Sequence, residues 1–269
     1  MPDTVRQPVK FERPPIVEVV CGVSFELPKP LTAAYVGLFW SKMRREYPNT
    51  LDQPPIPMTI EGATGSGGVE VQFVAMPPMR RTFFGSRDGR HLIQVQDDRF
   101  LLNWKRVEDA DHYPSYANVI RKFHSQYGVF CSFLKDAQLG SPRVTQLELT
   151  YVNIIDLAPD AISPSSNVLV DHLPSGGDRF LPKAESINWQ TSYALPSQSG
   201  RLHTVAQNAR HAKSGAPVLR LDLTARGLPK STASDSCSAW FDMAHDWITH
   251  GFADITSPEV QQTVWRRTS

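Results

Sequence analysis

The sequence predicts an α+β fold in which two similar halves build one curved antiparallel sheet backed by long helices. Strand-like stretches alternate apolar and polar residues, as half-buried strands do. Two long segments, 115–140 and 234–256, instead place their apolar residues at helical spacing. Each half reads as strand, helix or loop, antiparallel meander and helix, which favours two pseudo-repeats of the strand-helix-meander-helix type at 1–140 and 141–269 within one continuous compact unit.

In the N-terminal half, alternation and turn residues separate the elements. The first helix places Tyr35, Leu38, Phe39 and Met43 on one side, and Pro48 ends it. Proline and the stretch GATGSGG predict an irregular loop after it. The elements in chain order are a strand at 14–27, a helix at 31–48, a loop at 49–68, strands at 68–76, 80–86 and 90–106 with a tight turn in the last, and a helix at 115–140.

The C-terminal half follows the same logic. The stretch RVTQLELTYVNIIDL alternates as a long strand, and the final helix carries Trp240, Phe241 and Ile248 on one apolar stripe. Trp265 lies in a polar tail and is expected to dock on the body or on another chain. The elements are a strand at 143–157, a loop over most of 158–184, strands at 186–195, 200–210 and 216–227, and a helix at 234–256.

Composition argues against several classes of protein. Lysine and arginine (28) balance aspartate and glutamate (27), so no overall field attracts nucleic acid or an anionic membrane. No apolar run approaches the roughly 20 residues of a membrane span, and no secretory leader is recognisable. Three distant cysteines suit buried thiols in a reducing compartment. We therefore expect a soluble cytoplasmic protein without membrane contact.

A polar sheet face is the main candidate site. In 143–157, Glu148 alternates with an apolar row, and the strands at 14–27 and 216–227 carry carboxylates and arginines in the same way. We expect Glu148 to pair with Arg220 or Arg226 on a neighbouring strand. Two interpretations stay open: an ordinary solvated face, or a groove that holds a peptide, a nucleotide or a small ligand. A protein or a small ligand is the expected partner. The candidate binding residues are Glu18, Glu148, Tyr151, Arg220, Asp222 and Arg226.

An enzymatic alternative uses some of the same residues. A hydrolase or lyase would act on a small ligand in a cavity between sheet and helices, with Glu148, Asp222, Arg226, Tyr151 and His245 as its groups. His245 follows Asp242 by three residues on the last helix, a spacing that suits an acid-oriented general base or a simple structural hydrogen bond.

The remaining motifs point to little chemistry. No nucleotide-binding, zinc or serine-hydrolase motif occurs, so the sequence predicts no cofactor, no metal and no assigned catalytic residue. Arginines interleaved with phenylalanines at 80–90 fit either a nucleic-acid strand or an ordinary hairpin, and the balanced net charge favours the hairpin. The four arginines are Arg80, Arg81, Arg87 and Arg90. A homodimer is expected if a sheet edge stays uncovered.

Several stretches carry a family resemblance. They are PPIVEVVCGVSFE, GLFW, YP, DRFLLNWKR, LELTYVN, LTARG and WFDMAHDWI. Together they resemble a bacterial family of similar length, sporadically distributed among genomes and of unknown function. The resemblance implies a soluble bacterial protein, with a distribution like that of accessory or conflict-related genes, and it supplies no catalytic residues. The expected function is therefore binding or regulation through the polar face.

Overall fold

One antiparallel sheet runs through the protein. The computed structural model describes residues 7–57, 61, 79–157, 168–169, 188–211, 214–229, 231 and 233–269. Its nine described strands, in sheet order β2-β3-β4-β5-β1-β6-β9-β8-β7, confirm the α+β class with an antiparallel sheet. The strands are β1 (Ile16–Glu26), β2 (Asn49–Gln53), β3 (Arg81–Gly85), β4 (His91–Gln96), β5 (Arg99–Lys105), β6 (Arg143–Asp156), β7 (Asn188–Ala194), β8 (Gly200–Arg210) and β9 (Pro217–Gly227).

Helices cover one face of this sheet. The described helices are α1 (Ala33–Met43), α2 (Tyr116–Asp136), α3 (Ser234–Ile255) and α4 (Pro258–Thr263). Helix α2 contacts β5 and β1, and α3 contacts β6, β9 and β8. Phe39 of α1 packs on Phe84 and Phe130, with ring centroids 5.8 and 5.2 Å apart. The apolar core therefore lies between the helices and one side of the sheet.

The centre of the sheet joins the two predicted halves. Strands β1 and β6 pair along almost their whole lengths, from Ile16 opposite Asn153 to Glu26 opposite Arg143. Strand β1 also pairs with β5, and β6 with β9. Strands from both halves thus contribute to one continuous surface. None of the described helices is long and apolar enough to cross a membrane.

Some local expectations are wrong. Part of the predicted loop at 49–68 is the edge strand β2, whose exposed residues lack apolar alternation and whose pairing with β3 supplies its order. Leu38 is 56% exposed on the outer side of α1, and Val36 is buried instead. Helix α4 was not expected. The predicted strand at 68–76 and nearly all of the predicted loop at 158–184 lie outside the described residues.

Strands β8 and β9 approach each other closely at Gly200 and Gly227. The two glycines are register partners, and Gly200 has a φ of +137°. A Cβ on Gly227 would lie 1.8 Å from the carbonyl oxygen of Ser199, which also accepts a hydrogen bond from the Trp240 indole at 3.0 Å. The close approach therefore requires glycine at the end of the LTARG stretch.

The segments 8–13 and 265–269 meet on the body of the protein. Phe11 forms an isolated bridge with Arg267, and its ring centroid lies 6.1 Å from that of Trp265. The Trp265 ring also packs 4.9 Å from Phe252 of α3. Only 3% of Trp265 is exposed, so the tail docks on its own chain.

Candidate functional site

Five of the six predicted binding residues lie on the sheet face opposite the helices. Glu18 is opposite Val152, which in turn is opposite Asp222, so the two carboxylates belong to one row across three strands. Gly22, Glu148 and Arg226 form a second row in the same way. The five residues are Glu18, Glu148, Arg220, Asp222 and Arg226. Tyr151 is the exception, because it alternates with Glu148 and points to the helices.

Glu148 belongs to a cross-strand ion pair. Its Oε2 lies 2.6 Å from Nε of Arg226, the residue directly opposite it on β9. The side chains of Glu148 and Arg226 are 25% and 31% exposed, so water still reaches the pair. Arg220, the other predicted partner, instead donates from Nε to both carboxylate oxygens of Asp222 at 3.0 Å. Both carboxylates are therefore held by a guanidinium.

Glu18 anchors the opposite end of the polar face. Its Oε1 accepts a hydrogen bond from Nδ2 of Asn103 at 2.5 Å and lies 3.5 Å from Nζ of Lys105. Asn103 in turn accepts a hydrogen bond from Gln94 at 2.6 Å, and Gln94 accepts one from Arg81 at 2.9 Å. This chain of hydrogen bonds links β3, β4, β5 and β1 and fixes the side chains in place.

A row of short side chains separates the two charged rows. Val20, Thr150 and Thr224 are successive register partners, and the two threonine hydroxyls lie 2.9 Å apart. Because every second residue of a strand faces the same side, the charged rows are roughly 13 Å apart across this row. The arrangement gives a floor of hydroxyl and methyl groups with charged side chains on both sides.

Ile56 and Glu61 lie over one end of the polar face. The backbone of Ile56 exchanges hydrogen bonds with the Gln96 side chain at 2.9 and 3.2 Å. The Glu61 amide donates to Oε1 of Gln146 at 3.0 Å. Gln96 and Gln146 are consequently buried, whereas the charged rows retain partial exposure.

The Glu61 side chain extends this cover over β8. Its carboxylate lies 3.2 Å from Nη1 of Arg201 and 2.5 Å from Nε2 of His203. Nδ1 of His203 is also within 2.8 Å of the Ser192 hydroxyl on β7. Arg201 and His203 thus hold the Glu61 carboxylate beside the row that contains Glu148 and Arg226.

Tyr151 belongs to a separate cluster under the helices. Its hydroxyl lies 2.8 Å from the Tyr113 hydroxyl and 3.2 Å from Nδ1 of His245. The His245 ring stacks on Tyr116, with centroids 4.1 Å apart, and the Tyr116 hydroxyl donates to Asp242 at 2.8 Å. Asp242 is thus hydrogen-bonded to Tyr116, and among the described residues no hydrogen bond joins it to His245.

Burial controls the ionisation of this aromatic cluster. Desolvation lowers the pKa of His245 to about 4, despite the opposing influence of Asp246 and Asp242. Desolvation also raises the pKa of Tyr151, and the neighbouring Tyr113 adds to that increase. At neutral pH the cluster consequently holds a neutral imidazole and neutral phenols.

A small cavity adjoins Tyr151. Its volume is about 40 Å³, and Asn153, Phe252 and the N-terminal Phe11 and Pro14 are among its mainly apolar lining residues. Space of this size holds a few water molecules at most.

The sheet separates the residues of the proposed enzyme. Tyr151 and His245 meet on the helix side, whereas Glu148, Asp222 and Arg226 occupy the opposite face. These five residues therefore do not form one active site. The expectation of a cavity that gathers them is wrong, because alternation along β6 sends Glu148 and Tyr151 to opposite sides.

The four arginines of the nucleic-acid hypothesis are dispersed. Arg81 stacks over Phe83 at 4.8 Å and takes part in the hydrogen-bond chain of the polar face. Arg90 pairs with Asp111 at 2.6 Å. Arg80 is exposed, and Arg87 lies in the turn between β3 and β4. They form no single basic stripe.

Metal-ligand chemistry has little support in the described residues. No group of three or more histidine, cysteine, aspartate or glutamate side chains within them is arranged to hold an ion. Cys21 is fully buried, and desolvation raises the pKa of its thiol. It therefore packs as a small apolar side chain.

Comparison with models of known protein families gives no match for this chain, and comparison with curated proteins gives none either. The resemblance to a sporadically distributed bacterial family thus stays a prediction.

Proposed function

We propose that this protein binds a polar ligand on the face of its sheet opposite the described helices and does not transform it. The observation that supports this proposal is the placement of Glu18, Asp222, Glu148 and Arg226 in two rows around a floor of short side chains. Their side chains are between 22% and 31% exposed, so a ligand can reach them while the sheet keeps them ordered.

The chemistry of the face favours a ligand with both donors and acceptors. Glu148 and Arg226 form an ion pair in the free protein. A ligand that displaces one of these side chains must therefore supply a group of the same charge to pair with the other. An extended peptide, or a small molecule with carboxylate and amine groups, meets this condition. The width between the charged rows, roughly 13 Å, suits a chain lying across the strands.

A capture experiment tests the proposal. The immobilised protein is compared with the triple variant Glu148→Ala, Asp222→Ala, Arg226→Ala in binding from a bacterial extract, and captured species are identified by mass spectrometry. The triple variant should fold, because half-exposed ion pairs contribute about 1 kcal/mol or less each. It should lose a species that the unaltered protein retains reproducibly.

A matched variant controls for charge. The replacements Glu26→Ala, Asp136→Ala and Arg143→Ala remove the same two negative charges and one positive charge from more exposed pairs. This control should capture the same species as the unaltered protein. Equal capture by both triple variants would refute binding on the polar face.

A second candidate function, acid–base catalysis of a hydrolase or lyase type, has one observation in its favour. Nδ1 of His245 is oriented by Tyr151, while Nε2 has no hydrogen-bond partner among the described residues. An oriented, neutral imidazole is the arrangement of a general base. Loss of turnover in both His245→Gln and Tyr151→Phe, with a substrate found by screening, would support it. Unchanged turnover in either variant would exclude it.

We also propose that the chain consists of two pseudo-equivalent halves, that it forms a homodimer, and that it has an accessory role in a bacterial cell. The pairing of β1 with β5 and of β6 with β9 supports two pseudo-equivalent halves, because in each half the first strand lies beside the last strand of the meander. Strands β2 and β7, the outermost of the described strands, are candidates for a homodimer contact. The family resemblance supports a bacterial protein with an accessory or conflict-related role, and the three distant cysteines support a cytoplasmic location.

A further inference from the structure

A surface depression on the helix side of the sheet gathers charged residues from four parts of the chain. It lies between the end of α1, the turn that joins β3 to β4, the start of β4, and α2. Its lining residues are Arg45, Glu46, Ser86, Arg87, Asp88, His91 and Lys122. The polar face does not contribute to it.

The two carboxylates of the depression are already occupied. Asp88 accepts hydrogen bonds from the Ser86 hydroxyl at 2.6 Å and from the Arg90 amide at 3.1 Å, and it lies 3.7 Å from the Arg90 guanidinium. Glu46 forms an ion pair with Lys122. The depression still has a net positive charge, because its three cations, Arg45, Arg87 and Lys122, outnumber these two carboxylates.

Two guanidinium groups of the depression, those of Arg45 and Arg87, remain to bind a ligand. Arg45 has no side-chain partner among the described residues, and Arg87 donates only to the backbone carbonyl of Arg45, at 3.3 Å. Both side chains are exposed and line the same depression. The arrangement offers several unused N–H donors and an excess of positive charge to one ligand.

The turn that carries Arg87 is held firmly. The Gly89 amide donates to the Ser86 carbonyl at 3.1 Å, and the His91 amide donates to the Ser86 hydroxyl at 2.9 Å. Gly89 has a φ of +71°, which a glycine adopts without strain. A fixed backbone lowers the entropic cost of binding through Arg87.

We propose that this depression binds a phosphate group, with Arg45 and Arg87 as its principal donors. Guanidinium groups bind phosphate through paired N–H donors, and the charge-assisted hydrogen bonds formed are stronger than neutral ones. Lys122 and the His91 imidazole lie at the same depression as secondary donors. The proposal stands independently of ligand binding on the polar face.

Amide NMR of the whole chain tests this site. Inorganic phosphate is titrated at constant ionic strength against the unaltered protein and against Arg45→Ala and Arg87→Ala. The amides of residues 86–91 should shift and saturate in the unaltered protein. Each replacement should weaken phosphate binding about fivefold or more, because a charge-assisted contact is lost.

Arg44→Ala is the matched control. It removes the same charge from the residue before Arg45, which is exposed but does not line the depression. It should bind phosphate as the unaltered protein does. Shifts that do not saturate, or an equal loss in Arg44→Ala, would overturn the proposal.

Two further titrations distinguish the source of the phosphate. A phosphomonoester and a short single-stranded oligonucleotide are each added in competition with inorganic phosphate. Displacement by the oligonucleotide identifies a nucleic-acid backbone as the source, whereas displacement by the monoester alone identifies a small phosphorylated ligand. If neither displaces phosphate from the 86–91 amides, a biological phosphate ligand is excluded.

Discussion

The charge of His245 is set by its burial. Its pKa is about 4 in the folded chain, against 6.5 for an unperturbed histidine. Between pH 4 and pH 6.5 the unfolded chain binds more protons at this residue than the folded chain does. The contribution of the neutral, buried imidazole to the free energy of unfolding is therefore complete above pH 6.5 and is lost as the pH falls toward 4. From this residue alone, the free energy of unfolding should decrease by about 2 kcal/mol between pH 7 and pH 5.

Urea unfolding of the unaltered protein and of His245→Gln at both pH values measures this difference. Burial also lowers the pKa of His91 and His124, but their contribution is common to both proteins and cancels. The glutamine variant should lose less stability on acidification. An equal loss in the two proteins would show that the His245 imidazole is not desolvated.

Single residues were predictable where alternation alone decides their side of the sheet. Glu148 and Asp222 lie where the period of two places them, and the Glu148–Arg226 pair was one of two predicted alternatives. The partners of Tyr151 were not predictable. Its hydroxyl lies close to polar atoms of residues 38 and 94 positions away, and no local pattern encodes contacts between β6, the segment before α2, and α3.

At the level of elements, the β8–β9 pair depends on two glycines. In Gly227→Ala the new methyl group would overlap the Ser199 carbonyl, so the strands must separate and the Trp240 hydrogen bond must weaken. We expect the free energy of unfolding to fall by at least about 2 kcal/mol, within the range for overpacked sites. Thermal or urea unfolding measures it.

Gly37→Ala provides the comparison for that measurement. Nothing lies within 4 Å of the added methyl group, and alanine favours helix α1 over glycine by about 1 kcal/mol. This variant should be as stable as the unaltered protein or more so. A Gly227→Ala protein of unchanged stability would contradict the close approach of the two strands.

The docked C-terminal tail makes a second prediction about elements. Trp265→Ala removes a buried ring from its contacts with Phe11 and Phe252 and should cost about 3 kcal/mol. Val264→Ala, at a neighbouring position that is 57% exposed, should change stability by less than about 0.5 kcal/mol. Similar values for both variants in urea unfolding would show that the tail does not pack on the body.

Elements with strong periodicity were predicted well, and the exceptions have physical causes. β1, β6 and β9 alternate apolar and polar residues because one face packs on the core. Strand β2 has no such face, since its residues are mostly exposed and its order comes from hydrogen bonds to β3. A strand that is ordered only by pairing with another strand cannot be recognised from the local alternation of apolar and polar residues.

At the scale of the whole molecule, the candidate binding surface exists because β1 and β6 pair. Glu18 comes from one predicted half, and Glu148 and Asp222 come from the other, yet one row joins Glu18 to Asp222. The surface was predictable as a set of polar rows on separate strands. Their relative positions required the register of the β1–β6 and β6–β9 pairs, which the sequence does not specify.

A charge-swapped protein separates binding from stability on this surface. The double variant Glu148→Arg, Arg226→Glu reverses the pair while keeping its cross-strand attraction, so stability should stay within about 1 kcal/mol of the original. Calorimetric titration with the ligand identified by capture then compares the two proteins. The binding account predicts a well-folded double variant that no longer binds; unchanged affinity in that variant would contradict it.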